Sequence, residues 1–150
     1  MPDHAADAKR IVDSNLYMTL ATADAEGRPW ASPVWFAHEG YTSFVWVSKP
    51  EARHSQNLAA RPQAGIVIFD SKVPEGGAEA VYLEAEAERL EGAEEERWIA
   101  VFNSRSEGLG WPSWTVADVR PPSRLRLYRA TASALYVLSP KDERIPVNLT

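Results

Sequence analysis

The sequence predicts a mainly β protein whose six strands form a closed or nearly closed barrel. Two long segments, Ala80–Leu90 and Arg124–Leu138, alternate apolar and polar residues with the period of two that is typical of half-exposed strands. Four further segments are rich in β-branched and aromatic residues and are separated by turn signals. With 150 residues, 45% of them hydrophobic, the chain is long enough to build one core, so we expect a single domain over residues 1–150.

The first third of the chain is predicted to form one helix and three strands. Ala5–Ser14 suits a short helix, because Ile11 and Val12 give it an apolar contact. The three strands are predicted over Leu16–Ala23, Pro29–His38 and Thr42–Ser48, with glycine-containing turns between them. The two prolines in the second strand fit either a sheet edge or a bulge, since proline cannot donate to a central ladder.

The remaining chain is predicted to contain two helices and three strands. The pattern Ser48-Lys49-Pro50-Glu51 has the form of a capping box and predicts a helix over Glu51–Ala60. Ala64–Ser71 is apolar and β-branched, which indicates a buried strand ahead of the two alternating ones. Glu94–Asn103 suits a helix, and Ser104–Arg120, with two glycines, is predicted to be a loop.

Composition excludes several functions. The net charge is −5, so the chain has no general attraction for the phosphates of nucleic acid. The acidity lies in residues 75–96, which hold nine acidic residues and one basic residue. The fifth predicted strand, Ala80–Leu90, is acidic on one face. We expect it to pair with the basic residues Arg120, Arg124, Arg126 and Arg129. The absence of cysteine excludes disulfides and thiolate metal sites, and three histidines leave little material for any metal site.

Neither a membrane segment nor a signal peptide is expected. The longest uncharged stretches, such as Gly40–Ser48, fall far short of the ~20 apolar residues that a spanning helix needs. The N-terminus has neither a basic start nor an apolar run. The sequence therefore predicts a cytoplasmic protein.

The most informative stretch is the third predicted strand together with the helix that follows it. A helix N-terminus offers free N–H groups and the positive end of the helix dipole. Ser48 adds a hydroxyl, and Lys49, Arg53 and His54 bring cationic donors within about one turn. Such a set of donors suits a phosphate monoester. The alternative interpretation is a surface helix with a routine cap and solvated charges.

Short motifs follow one another in order between Leu16 and Ser71. They are Leu20-Ala21-Thr22, Gly27-Arg28-Pro29, Ser32-Pro33-Val34-Trp35-Phe36, Ser48, Arg53-His54, Asn57-Leu58 and Pro62. In this order and spacing the chain resembles the pyridoxamine 5′-phosphate oxidase-like flavin-binding split barrels.

The resemblance implies a homodimer of six-stranded antiparallel split barrels of Greek-key type, with FMN in a groove between the subunits. It implies a flavin-dependent oxidoreductase that acts on a small molecule. Ser48, Arg53 and His54 correspond to positions that hold the FMN phosphate. The strand whose backbone faces the flavin ring contributes Ser32, Pro33, Val34 and Trp35.

Three positions depart from the family pattern. The oxidase carries an Arg-x-His-Asp motif near its C-terminus, whereas this chain has Asp142-Glu143-Arg144-Ile145-Pro146, so the substrate is left open. Glu86-Ala87 stands where many relatives have Gly-x-Ala. His54 stands where lysine or arginine is common, and a neutral histidine donates only one hydrogen bond, so phosphate affinity is expected to weaken at high pH.

The aromatic and histidine residues leave alternatives open. Trp111 and Trp114 lie in the predicted loop, where exposed indoles are unfavourable unless something covers them, so they either line a ligand or cofactor groove or pack structurally. His38, at a turn, is expected to be solvated, and His4 is expected to lie in a frayed terminus.

Two other cofactors suit the same fold. F420 has a similar ring and a ribityl phosphate, but its polyglutamate tail favours a basic groove, so the acidic total prefers FMN. A non-catalytic flavin or haem protein is the other alternative, with His38 or His54 as the haem ligand.

Overall fold

The computed structural model describes residues 1–148 and confirms the mainly β class. The elements are α1 (His4–Ser14), β1 (Tyr17–Ala23), β2 (Pro29–Trp35), β3 (Ala37–Glu39), β4 (Ser43–Ser48), α2 (Arg53–Ala60), β5 (Gln63–Phe69), β6 (Ala80–Arg89), α3 (Ala93–Gly108), β7 (Arg126–Leu138) and β8 (Arg144–Pro146). A single 3₁₀ turn covers Val116–Val119. His4, expected in a frayed end, is the first residue of α1.

The strands form one antiparallel sheet in the order β2-β1-β5-β6-β7-β4-β3, and β8 pairs with β7. The sheet curls into a half-barrel, so that β2 also contacts β4. The described residues thus contain eight strands, and the prediction of six was wrong. The predicted second strand is split at Phe36, because residues up to Trp35 pair with β1 whereas residues from Ala37 onward pair with β4. The eighth strand is the short Arg144–Pro146 segment.

The concave side of the sheet holds the main core. Its largest fully buried side chains include Trp46, Phe36 and Phe44, and Trp46 stacks on Tyr128 with ring centroids 5.7 Å apart. Each such side chain stabilises the fold by about 1.5–3 kcal/mol relative to an exposed one. From α2, Leu58 enters the same core, which fixes this helix against the barrel.

On the convex side, α3 packs over β3, β4 and the start of β7. Trp98, Ile99 and Phe102 bury its apolar face, as the sequence predicts. The helix continues to Gly108, so the expectation of a loop from residue 104 was wrong. The extra turn is held by polar contacts that apolar periodicity does not reveal: the Ser106 hydroxyl donates to the carbonyl of Pro112 (2.9 Å).

The basic residues near β7 have different partners. Arg129 pairs with Glu88 of β6 (2.5 Å) and with Glu94 of α3 (2.8 Å), which confirms pairing with the acidic segment. Arg120 pairs with Glu95 and Glu96 of α3 rather than with β6. The prediction was wrong for Arg126, whose guanidinium donates to neighbouring backbone carbonyls.

The rest of the convex face is not covered. Side chains that point outward from β1, β2 and β5 are largely apolar, whereas β6 presents Tyr82 followed by glutamates; register brings Ala21, Val67 and Tyr82 onto one surface. Tyr17 is 58% exposed and Phe69 is 47% exposed. Large exposed apolar surfaces of this kind are typical of interfaces. Among residues 1–148, no helix is long and apolar enough to cross a membrane.

Candidate functional site

The corner between β4 and α2 is built differently from the sequence prediction. The helix begins at Arg53, its N-cap residue is Ala52, and no side chain of that residue caps it. The predicted capping box was wrong, because β4 continues through Ser48 and the chain then makes a turn in which the Ala52 amide donates to Lys49 (3.1 Å). An uncapped first turn leaves backbone N–H groups directed at whatever lies beyond it.

The hydroxyl of Ser48 meets the imidazole of His54 at this corner. The distance between Ser48 Oγ and His54 Nε2 is 2.8 Å, and both side chains are buried. Ser48 faces the same side of β4 as Trp46, so strand alternation directs its hydroxyl inward beneath the helix. Burial lowers the pKa of His54, because desolvation disfavours the imidazolium. The histidine is therefore a neutral hydrogen-bonding group at neutral pH.

The fixed positive charge of the corner comes from exposed residues. The guanidinium of Arg53 lies 4.4 Å from the centre of the Trp30 ring, which holds it beside edge strand β2. Lys49 is exposed at the end of β4.

A buried hydrogen bond fixes the position of α2: the side-chain amide of Asn57 donates to the hydroxyl of Thr22 on β1 (3.1 Å). The structure thus brings Ser48, Arg53 and His54 to one corner.

Strand β2 ends the sheet, so only one of its edges is paired. Val34 is buried in the core, and Ser32 is half-buried. Pro33 is exposed on the other face, to which Trp35 also belongs. The ladder with β1 therefore fixes the backbone of β2 along one edge. The other edge has no ladder hydrogen bonds in the described part of the chain.

Trp111 and Trp114 are joined to β2 through α3. Trp111 lies 5.6 Å from Trp35, Trp35 lies 4.9 Å from Phe102, and Phe102 lies 5.2 Å from Trp114, all between ring centroids. The two loop tryptophans also line a cavity of about 430 Å³. Trp111 is 44% exposed, so its ring is partly available to a ligand.

The family model of pyridoxamine 5′-phosphate oxidase matches residues 5–139. The chain belongs to this family. The pyridoxine/pyridoxamine 5′-phosphate oxidase of Bordetella pertussis is 30% identical over 119 residues, which are 79% of this chain and 53% of the relative. The enzyme of the same name from Thermosynechococcus vestitus is 31% identical over 97 residues, 65% of this chain and 43% of the relative. The chain thus spans about half the length of the curated relatives it matches.

Solved structures share the family's fold with this chain. A haem-binding protein from Mycobacterium smegmatis has a TM-score of 0.76 at 24% identity, over 99% of this chain and 59% of the other. The haem storage protein HutZ from Vibrio cholerae has a TM-score of 0.69 at 22% identity, over 88% of this chain and 92% of the other. At these identities the likeness establishes the split-barrel fold alone.

A polar cluster that the sequence did not reveal lies near the start of β4, at the end of the strand opposite to Ser48. His38 was expected to be solvated, but its Nε2 lies 2.7 Å from Asp13 Oδ1, so this prediction was wrong. The hydroxyl of Tyr41 donates to the other oxygen of Asp13 (2.6 Å), and this bond raises the pKa of Tyr41 to about 12. The three residues join α1 to the β3–β4 hairpin across 25 or more positions, so no local pattern indicates their contact.

The depressed pKa of His54 predicts a specific pH dependence of stability. The unfolded chain binds the proton more tightly than the folded chain, so stability is complete above about pH 6.5 and falls as the pH drops through the lowered folded pKa. We expect His54→Gln to flatten the fall in unfolding free energy between about pH 7 and pH 5, as measured by urea denaturation. His4→Gln is the control, and equal slopes in the wild type and His54→Gln would contradict the assignment.

Proposed function

We propose that the chain binds FMN at the corner formed by the end of β4 and the start of α2, and uses it to oxidise or reduce a small molecule. The observation that carries this proposal is the uncapped first turn of α2 beside Ser48, Arg53 and His54. These groups suit a phosphate monoester, because neutral donors and a fixed positive charge lie together.

Each residue at the corner has its own proposed role. With Nε2 protonated, His54 donates to Ser48, which leaves the serine hydroxyl free to donate to phosphate oxygen. Arg53 supplies a permanent charge, and Lys49 supplies a second one at the rim. The backbone of Ser32–Trp35 faces the ring system, and Trp111 and Trp114 exclude water from its neighbourhood. When bound, FMN supplies the capacity to accept or give hydride.

We further propose that two copies of the chain form a homodimer. The uncovered convex face carries Ala21, Val67 and Tyr82 on neighbouring strands, with Tyr17 exposed at its border. A second copy that packs on this face would bury apolar side chains and would form a groove along the free edge of β2. The assembly therefore completes the cofactor site.

F420 is the alternative cofactor on the same fold. Its polyglutamate tail needs positive charge beyond the phosphate corner, whereas the chain has a net charge of −5 and acidic residues along β6. These charges favour FMN.

Haem is the second alternative, because two proteins of the same fold are described as haem-binding or haem-storing. In this chain, His38 is hydrogen-bonded to Asp13, and His54 is buried against Ser48. Binding iron would cost His38 one of its two hydrogen bonds, to Asp13 or to the amide of Tyr41, and would require the His54 ring, which is only 7% exposed, to become accessible. This cost favours FMN over haem.

Titrations with FMN, F420 and haemin separate these functions. We expect saturable binding of FMN with a dissociation constant at least tenfold lower than that of F420, a factor equivalent to about 1.4 kcal/mol, measured by quenching of tryptophan fluorescence. Bleaching of bound FMN by a reduced nicotinamide would support an oxidoreductase, and its failure with every donor would favour a carrier. A Soret band with haemin and no binding of FMN would overturn the proposal.

A further inference from the structure

A groove behind α2 lies outside the corner just described. It has a volume of about 270 Å³ and runs between α2 and the paired strands β6 and β7. Its lining includes Pro50, Ser55, Leu58, Ala87, Glu88, Arg89 and Tyr128. Most of these side chains are apolar or aromatic, so the groove has an apolar floor.

The hydroxyl of Ser55 is a polar group in this groove that lacks a partner. The residue is only 4% exposed, and its Oγ has no hydrogen bond to any residue in the described part of the chain. A buried hydroxyl without a partner costs free energy that a ligand or a water molecule would recover. The unpaired atom therefore indicates where a ligand donor or acceptor would sit.

Positive charge lies next to this hydroxyl. Arg89 stands opposite Tyr128 in the ladder and lines the groove, and its Nε is 3.7 Å from the 77% exposed side chain of Glu91.

Glu88 lines the groove, but neither it nor Glu91 pairs closely with Arg89. Glu88 is held by Arg129 at 2.5 Å, and Glu91 contacts Arg89 only at the long distance just given. A guanidinium with so weak a partner is free to form paired hydrogen bonds with an incoming carboxylate.

We propose that this groove binds a small carboxylate with an aromatic or branched aliphatic body. The apolar body lies on Leu58, Ala87 and the ring of Tyr128, while the carboxylate meets Arg89 and the hydroxyl of Ser55. The lining of the groove contains none of Ser48, Arg53 and His54, the residues of the proposed flavin corner.

The test uses benzoate as the probe in an NMR titration of the full chain labelled with ¹⁵N. We expect saturable shifts of the amides of Ser55, Ala87 and Arg89. Arg89→Gln is expected to weaken binding about tenfold or more, and Ser55→Ala about threefold, since a charge-assisted bond contributes more than a neutral one. Arg124→Gln, an exposed arginine before β7, is the matched control and should leave the dissociation constant unchanged.

Two further probes separate the charge from the apolar body. Benzyl alcohol, which keeps the ring and lacks the carboxylate, should bind at least tenfold more weakly than benzoate; equal binding would overturn the role of Arg89. Inorganic phosphate also suits the proposed flavin corner, so the amides of Ala87 and Arg89 are the ones that report on this groove. Phosphate that shifts these two amides with the same affinity as benzoate would overturn the role of the apolar floor. Arg89→Gln should retain wild-type affinity for FMN, and a joint loss of both ligands would overturn the separation of the two sites.

Discussion

Replacing Arg53 with alanine is expected to weaken FMN binding by about 1.5–3 kcal/mol, the usual contribution of a charge-assisted hydrogen bond. This corresponds to a dissociation constant roughly 10–150 times that of the wild type. The physical reason is that Arg53 provides permanent charge beside a neutral His54, so no neighbouring buried group replaces it. Fluorescence titration of FMN measures the change directly.

The control for this prediction is an arginine of similar exposure. Arg124→Ala removes a charge from the exposed segment before β7 and should leave the FMN dissociation constant unchanged. Arg53→Lys keeps the charge but loses the planar fork, so it should fall between the wild type and Arg53→Ala. An unchanged dissociation constant in Arg53→Ala would show that the phosphate lies elsewhere.

Val67→Glu is expected to convert the proposed homodimer into monomers and to abolish most FMN binding. Val67 lies on the uncovered convex face, opposite Thr19 of β1 and Tyr82 of β6. Dimerisation would bury the new carboxylate without a partner, which costs several kcal/mol. The groove between copies would then be lost together with the dimer. Sedimentation velocity and FMN titration on the same samples measure both effects.

Val73→Glu is the matched control for the assembly. Val73 is 37% exposed and lies in the segment between β5 and β6, away from the convex face. The same substitution there should leave both the oligomeric state and FMN affinity intact. A Val67→Glu protein that remains dimeric and retains FMN would show that the copies associate through another surface.

Local sequence patterns were sufficient to predict the positions of most strands and helices. The alternating segment predicted over Ala80–Leu90 became β6 (Ala80–Arg89), and the last predicted strand, Arg124–Leu138, became β7 (Arg126–Leu138). Period-two alternation succeeds there because one face of each strand is buried and the other is solvated. The break at Phe36 was not predictable, because it depends on the change of pairing partner from β1 to β4, two strands that lie apart in the sequence.

The sequence indicates which residues form the candidate site, but it does not indicate how they are arranged. Donor-type residues at Ser48, Arg53 and His54 stand out in the sequence, and the structure brings them to one corner. The capping box failed because the register of β4 extends through Ser48 and commits its hydroxyl to His54. The contact between Trp35 and Trp111 depends on tertiary packing against α3, which no local pattern encodes.

The most direct measurement compares the dissociation constants of FMN and riboflavin for the wild-type protein under identical conditions. Riboflavin has the same ring system but no phosphate, so their ratio isolates the anion that the corner of Ser48, Arg53 and His54 is proposed to hold. We expect FMN to bind at least tenfold more tightly than riboflavin, equivalent to about 1.4 kcal/mol or more. Equal affinities, or binding of neither flavin, would contradict it.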